Sequence, residues 1–190
     1  TCADDFFSDS PIEHSEELWV AREGLGDHPM TKVSWYGANT YCETVGKRLC
    51  TEAEWEIAAM GTCDDGSCES DKALYPWGDA EPTCALAHMF QGADGCGTGT
   101  TAPVGSLPDG ASASGALDMA GNAWEWVADS WHHDYTGAPT DGSAWLDVSN
   151  GLRVVRGGGL GSGPDRLRGS HRWNAGADNM VAGYGFRCCQ

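Results

Sequence analysis

The sequence lacks any apolar run that approaches the roughly 20 residues of a membrane span, and it has no segment like the apolar core of a secretory signal. We therefore expect no membrane span, and an export signal would have to lie outside these 190 residues. Basic residues are also scarce: 11 Lys and Arg stand against 28 Asp and Glu, for a net charge of −17. Such a surface repels phosphate backbones, so we expect no nucleic-acid partner. Divalent cations, basic partners or solubility alone are each compatible with this acidity.

CxxC pairs are absent too, and no cysteine has a histidine at zinc-ligand spacing, which argues against the common zinc and dithiol sites. The nine cysteines are nonetheless numerous for a reducing compartment, and we interpret them as mostly disulfides. This predicts a secreted or otherwise extracytoplasmic protein. Because nine is an odd number, at least one cysteine is free or is bonded to a group outside this chain.

Helix signals are confined to one stretch of the chain. Ser34 can cap a helix over residues 35–45, with Gly46 as its C-terminal stop. The sequence Thr-Glu-Ala-Glu at 51–54 is a capping box, in which the first hydroxyl and the last carboxylate each satisfy a backbone N–H. This predicts a second helix that ends near Met60.

The rest of the chain is dense in turns and contains most of the 27 glycines. Alternating patterns predict short strands over 124–128, 152–156 and 183–188. Residues 60–74 and 129–151 have the composition of long polar loops. An α+β domain with two short helices, short strands and much irregular structure follows.

Seven short motifs occur in an order that resembles one family, the formylglycine-generating enzymes or sulfatase-modifying factors. They are His28-Pro29 with Val33-Ser34-Trp35, Gly46-Lys47-Arg48-Leu49-Cys50-Thr51-Glu52-Ala53-Glu54-Trp55-Glu56, Tyr75-Pro76-Trp77-Gly78-Asp79, Thr101-Ala102-Pro103-Val104-Gly105-Ser106, Asp118-Met119-Ala120-Gly121-Asn122-Ala123-Trp124-Glu125-Trp126, Arg156-Gly157-Gly158, and Gly185-Phe186-Arg187-Cys188. Each motif is weak alone, and their order carries the resemblance. It implies the formylglycine-generating-enzyme-type variant of the C-type lectin fold.

The resemblance runs from about residue 28 to the C-terminus. The family's N-terminal strands are not recognisable in residues 1–27. We therefore divide the chain into an N-terminal segment, 1–27, and a formylglycine-generating-enzyme-type domain, 28–190, which is N-terminally incomplete.

The chemistry of the family's oxidases is missing from this sequence. Those enzymes bind copper(I) through two cysteines that follow the Arg-Gly-Gly element. Here residues 157–167 contain no cysteine, and none occurs between Cys96 and Cys188. Because soft thiolates are the ligands that suit copper(I), we expect no copper and no formylglycine-generating activity. We assign no catalytic residue and interpret the domain as a pseudoenzyme.

Two other chemistries also lack the residues they need. Family members that bind iron take histidines from an additional helical domain, whereas His132 and His133 are adjacent in a polar loop, where we expect exposure. Ser112, Ser114 and Ser162 lie in Gly/Ala/Ser contexts without the signature of an activated nucleophile.

The resemblance does retain a calcium loop. It implies that the side chains of Asp118 and Glu125 and the backbone carbonyls of Gly121 and Ala123 bind a structural calcium ion. Hard oxygens are the ligands that Ca²⁺ prefers, and a turn containing glycine can aim carbonyls inward. The alternative is a solvated Asp118 and a Glu125 that is hydrogen-bonded beneath the neighbouring tryptophans.

Three disulfides are expected. The resemblance implies Cys42–Cys188, which joins the first helix to the last strand. The family's second calcium site would fall where Cys84 and Cys96 stand, so a Cys84–Cys96 bridge can staple the loop that calcium otherwise holds. Cys63 and Cys68 flank a tight turn and form a local pair in our interpretation. No pairing is assigned to the remaining cysteines, Cys2, Cys50 and Cys189.

These features favour a non-catalytic extracellular binding module that presents loops 129–151 and 159–182 to a protein or glycan ligand. One alternative is a structural subunit of an extracellular assembly, and another is an enzyme of unrecognised chemistry. Most tryptophans should be core, with a glycan-stacking role as the minority interpretation for an exposed one such as Trp131, Trp145 or Trp173. A diversified receptor, with segment 159–182 as its variable region, is a special case of the binding module.

Overall fold

A computed structural model of the chain describes residues 11–15, 18–61, 73–90, 96, 99–147 and 149–190. Among the elements described in these ranges, two helices and several short strands lie between long irregular segments, and two 3-10 turns occur at Pro108–Gly110 and Pro164–Arg166. The helices and strands, in chain order, are β1 (Ile12–Ser15), β2 (Leu18–Ala21), α1 (Trp35–Thr44), β3 (Arg48–Leu49), α2 (Glu52–Met60), β4 (Trp124–Ser130), β5 (Leu152–Arg156), β6 (Arg172–Gly176), β7 (Tyr184–Phe186) and β8 (Cys188–Cys189). The predicted α+β class is confirmed.

Both helices begin where their capping residues predict. The Ser34 hydroxyl accepts a hydrogen bond from the Gly37 N–H at the start of α1. At the start of α2 the Thr51 hydroxyl accepts from the Glu54 N–H, and the Glu54 carboxylate accepts from the Thr51 N–H. Helix α1 ends at Thr44, and Gly46 then adopts a φ of 74°, the left-handed conformation that suits glycine.

The main sheet has the strand order β6-β5-β4-β7. Its pairs are antiparallel except for the parallel pair of β4 with β7. The predicted strands at 124–128 and 152–156 are therefore present, and the first of them extends to Ser130. The segment 183–188 divides into β7 and β8, and β8 pairs with β3 in a separate two-stranded sheet. Strands β1 and β2, which precede the recognisable family pattern, pair with each other antiparallel.

Strand β4 is buried on both faces and is the centre of the core. On one side Trp126 packs in a cluster with Ala38 and Cys42 of α1. On the other side Val127 packs in a second cluster with Trp55 of α2 and Met119. Both helices cover the same strand. The core of the domain therefore holds the start of β4 in place, together with the segment 118–123 that leads into it.

Most tryptophans whose burial is described contact the core, but Trp131, expected as an exposed candidate, is half-buried against a core cluster, and Trp145 is half-buried. Trp55, Trp124 and Trp126 are buried, and the Trp126 Nε1–H donates to the Val33 carbonyl at 2.9 Å. Trp173 is 46% exposed. Each buried indole contributes a large apolar area, which compensates for the small amount of regular secondary structure.

Three disulfides lie in the described part of the chain. Cys42 is bonded to Cys188 and Cys84 to Cys96, which are two of the expected pairs. The third bridge, Cys50–Cys189, joins two cysteines that the sequence left unassigned. Strand β8 is thus tied to α1 by one cysteine and to the start of α2 by the next. Cys2, and the expected pair Cys63–Cys68, lie outside the described residues.

Candidate functional sites

The loop between Asp118 and Glu125 has an unusual backbone that fixes the direction of its carbonyl groups. Asp118, Gly121 and Asn122 all have positive φ angles, of 56°, 84° and 62°. A Cβ atom at Gly121 would lie 2.6 Å from the His88 carbonyl oxygen, so the close approach of these two backbone segments requires glycine. The Asn122 side chain bonds both the N–H and the carbonyl of Ala102, which ties this loop to the segment before it.

Asp118, Gly121, Ala123 and Glu125, the four residues of the predicted calcium loop, all line one cavity of about 480 Å³. The Asp118 carboxylate accepts a hydrogen bond from the Gly105 N–H at 2.6 Å. Glu125 is buried, and its Oε2 accepts from the Trp55 Nε1–H at 2.6 Å. The structure therefore brings the predicted oxygen donors to one place and links one of them to α2.

A cation of the protein itself already lies beside these oxygens. The Arg187 guanidinium donates to both carboxylate oxygens of Glu125 at 2.6 Å, in a bidentate pair. It also donates to the carbonyls of Leu117 and Asp118, at 3.1 and 3.3 Å. Burial alone would lower the pKa of Arg187, but the charge and hydrogen bonds of Glu125 raise it above its usual range. Sequence reasoning missed this pair because 62 residues separate its partners.

Calcium at this loop would rely on backbone carbonyls and would share Glu125 with Arg187. Hard oxygens from Asp118 and from the turn match the ligand preference of Ca²⁺. Within the described residues, no group of three or more His, Cys, Asp or Glu side chains has an arrangement that could hold a metal. The chemistry of the donors fits the ion, while the charge of Glu125 is already balanced.

A second ionic cluster, not predicted from the sequence, joins α2 to the strands. Glu52 is 5% exposed and accepts from Arg172 Nε and Nη2 at 2.6 and 2.8 Å and from Arg156 Nη1 at 3.2 Å. The fully buried Arg156 also bonds Glu56 at 2.6 Å. The Tyr135 hydroxyl donates to Glu52 as well, which anchors the polar loop after β4. The only local signal was the position of Glu52 in the capping box.

Asp129 closes this cluster at the end of β4. Its carboxylate accepts from the backbone N–H groups of Glu52 and Trp145, at 2.7 and 2.8 Å. Burial raises the pKa of Asp129, and these two hydrogen bonds oppose that shift. The carboxylate therefore connects the start of α2 to the loop at 145.

The histidines and serines considered in the sequence do not assemble a reactive group. His132 stacks on Trp145 with ring centroids 3.5 Å apart, while His133 is exposed. The hydroxyls of Ser112 and Ser114 both donate to the Ala58 carbonyl, and the Ser162 hydroxyl accepts from the Gly159 N–H. These polar groups are engaged in holding turns.

One cavity of the described structure is an open cleft of about 670 Å³. One wall is residues 159–162, which directly follow Arg156-Gly157-Gly158, and another is residues 181–183. Trp124 and Tyr184 line it between these walls. A Cβ atom at Gly161 or Gly183 would meet nothing within 4 Å, so backbone is open to a ligand at both positions. The cleft is thus lined by the glycine-rich segment after Arg156-Gly157-Gly158, which contains no cysteine.

The class of protein follows from this arrangement: an α+β domain of C-type-lectin type, in which two helices cover a small mixed sheet and long loops form a cleft beside it. A family model described as sulfatase-modifying factor enzyme 1-like domain matches residues 5–190. The chain belongs to this family, which confirms the resemblance.

Two relatives that match most of this chain are longer than it. The chain is 39% identical over 186 residues to serine/threonine-protein kinase pkn1 of Chlamydia caviae, which covers 96% of this chain and 27% of the kinase. It is 37% identical over 190 residues to the formylglycine-generating enzyme of Thermomonospora curvata, covering 90% of this chain and 60% of that one. The chain therefore spans about a quarter of the kinase and somewhat less than two thirds of the enzyme.

A solved structure confirms the fold. PvdO from Pseudomonas aeruginosa superposes with a TM-score of 0.69 and 31% identity, over 92% of this chain and 68% of that one. No helix in the described residues is long and apolar enough to cross a membrane.

Proposed function

We propose that this chain is a non-catalytic binding module on a formylglycine-generating-enzyme-type scaffold and that its ligand, a protein or a glycan, occupies the 670 Å³ cleft. One observation carries the proposal: the cleft is retained beside the Arg-Gly-Gly element, but Gly159, Leu160, Gly161 and Ser162 line it where an oxidase would have thiolates. A cleft without a reactive group can bind a ligand but has no means of oxidising it.

Three features of the wall support binding. Gly159 packs against Trp124, since a Cβ atom there would lie 3.2 Å from the indole. The Ser162 N–H and hydroxyl both bond Gly159, which gives the 159–162 turn a fixed shape. Gly161, at the tip of that turn, is exposed. A preformed wall with open backbone at its tip lowers the ordering cost of binding.

We place the module outside the cytoplasm. The described cysteines are all in disulfides, which persist in oxidising compartments. The Cys84–Cys96 bridge also links two positions 12 residues apart shortly before the cleft residues 99–101.

Calcium at residues 118–125 is proposed as a structural cofactor. Asp118 and Glu125 would contribute carboxylate oxygens, and Gly121 and Ala123 backbone carbonyls. When bound, the ion would supply a positive charge that joins this loop to β4. Because Arg187 already neutralises Glu125, we expect the ion to add to the stability of a loop that is partly held without it.

Binding at the cleft is tested with a matched pair of glycines. Neither Gly161 nor Gly163 has a positive φ, and neither would place a Cβ atom within 4 Å of another group, but only Gly161 lines the cleft. A random dodecapeptide library displayed on phage would be selected on the wild-type protein, alongside a glycan array. Ligands that use the cleft should be lost with Gly161→Trp and retained with Gly163→Trp.

The absence of oxidase chemistry is tested in parallel. Incubation with copper(I), O₂ and a peptide carrying the sulfatase cysteine motif should give no aldehyde above a control without protein. Aldehyde formation would overturn the non-catalytic part of the proposal.

In the glycine experiment, ligands that bind equally to wild type and Gly161→Trp would show that the cleft is not the binding site.

A further inference from the structure

The charges that line the cleft have the opposite sign to the charge of the chain. Acidic residues outnumber basic ones by 28 to 11. The described residues that line the cleft nevertheless include Arg22 and Arg166, and no Asp or Glu. Net charge suggested cations or basic partners, whereas the cleft has the chemistry to bind an anion.

The positive charge of Arg166 is available on this side of the domain. Its neighbour Asp165 is paired instead with Arg168, at 3.1 Å, and that carboxylate is 91% exposed. The Arg166 guanidinium lies over the Trp173 ring, 5.7 Å from its centroid, so an aromatic face supports it. Burial, followed by the positive charges of Arg166 and Arg156, lowers the pKa of the nearby His171. The positive charge of Arg166 therefore acts on His171, in addition to the larger effect of burial.

The acidic remainder of the surface acts on a ligand only weakly at physiological ionic strength. The Debye length there is about 8 Å, so exposed charges farther away are largely screened. Charges that touch the ligand are screened much less. The lining therefore decides which ligand binds, while the net charge of −17 affects mainly how fast a ligand approaches.

The remaining lining is suited to a peptide. Leu25, Leu160 and Val181 provide apolar walls, and Val181 is 45% exposed. The space beside the backbone at Gly161 and Gly183 lets a peptide main chain approach the cleft wall closely. Sugar rings stack on exposed aromatic faces, but Trp124 in the cleft is only 8% exposed. An extended segment that alternates carboxylates with apolar side chains matches these groups.

We infer that the cleft binds an acidic peptide segment, with one carboxylate paired to Arg166 and an apolar side chain against Leu160 and Val181. This inference rests on the proposed function, because it names the ligand class of the same cleft.

The test sequences the peptides enriched from the random dodecapeptide library at 0.15 M salt. Clones that are lost on Gly161→Trp should contain more Asp and Glu than the unselected library, together with Leu, Val or Phe. Their affinity, measured by fluorescence anisotropy, should fall about tenfold with Arg166→Gln, as expected for one charge-assisted contact. Arg168→Gln is the matched control: Arg168 is two residues away and does not line the cleft, so it should change affinity less than twofold.

The outcomes separate the two proposals. Clones that depend on Gly161 but lack excess acid, or that bind Arg166→Gln as well as wild type, would overturn this inference and leave the binding cleft intact. A sulfated oligosaccharide that binds through Arg166 when no peptide does would also overturn it, in favour of an anionic glycan. If no ligand depends on Gly161, both proposals are wrong.

Discussion

The charged residues of the Glu52 cluster are buried or half-buried and paired with one another, whereas Arg166 in the cleft is exposed to solvent. Glu52 and Arg156 are buried, and each finds partners of opposite charge from distant parts of the chain. In the cleft Arg166 is exposed, and the acid next to it is bonded elsewhere. A buried charge has to be paired within the protein, since its desolvation is costly. A charge at an open cleft is solvated by water instead, and it can pair with a charged ligand. The comparison suggests that the first region stabilises the domain and the second recognises a partner.

The strongest way to break this comparison is to remove the charge of Glu52. Glu52→Gln leaves Arg172 without its anion and the buried Arg156 with Glu56 alone, and we expect the free energy of unfolding to fall by about 3–5 kcal/mol, as for other broken buried pairs. Urea denaturation measures this. Asp165→Asn, which removes the exposed partner of Arg168, is the control and should cost only a small fraction of that amount. Equal losses would mean that the cluster is no more structural than a surface pair.

The bridge Cys50–Cys189 should rank next, because Cys50 directly precedes the cap of α2. While Cys42–Cys188 is intact, this second bridge closes a short additional loop, worth about 3 kcal/mol in the chain-entropy model. Replacing Cys50 and Cys189 by Ala should cost about that amount in urea. Removing both bridges should cost more than the sum of the single losses, because the long loop is then open. Additive losses would show that the two bridges act independently.

The calcium loop shares features with both regions, because Glu125 is paired with Arg187 and both residues line a cavity. Calcium binding therefore tests a site of intermediate kind. Saturating calcium should stabilise the chelator-treated protein, by about 2.7 kcal/mol at a hundred times Kd, with magnesium much less effective. Arg187→Met removes the competing cation, so this variant should be less stable without calcium and gain more from it. Glu125→Gln should weaken calcium binding, and it also leaves Arg187 unpaired. Melting curves that ignore calcium in both the wild type and Arg187→Met would leave Asp118 and Glu125 as structural carboxylates.

The smallest effects on stability are expected in the cleft. Gly161→Trp and Arg166→Gln should stay within about 0.5 kcal/mol of wild type, as exposed substitutions usually do. Gly121→Ala is the contrast: its φ is positive and its Cβ atom would clash with the His88 carbonyl, so it should destabilise strongly. Thermal unfolding of the three variants checks this order. A large loss in Gly161→Trp would mean that the cleft wall is part of the folding core.

Local features were predicted well from the sequence, and long-range ones only through the family resemblance. The caps at Ser34 and Thr51 depend on groups three residues away, so the pattern of a few residues is sufficient. Cys42–Cys188 was expected because the family motifs place the two residues. Cys50–Cys189 was not, since neither motif nor spacing relates them. The calcium loop was expected as a group of oxygens, and the guanidinium beside it was not.

The sequence by itself determined the positions of both helices, the irregular character of the domain and the loss of the thiolate pair, because each depends on residue types at fixed short spacings. The tertiary structure alone decided that Arg187 pairs with Glu125, that Glu52 gathers two arginines, and that an acidic chain has a cleft lined by arginine. These pairings join residues tens to more than a hundred positions apart. Composition gives the net charge of the chain but not the positions of the charged groups. Only the folded chain determines which charges are buried together and which line an open cleft.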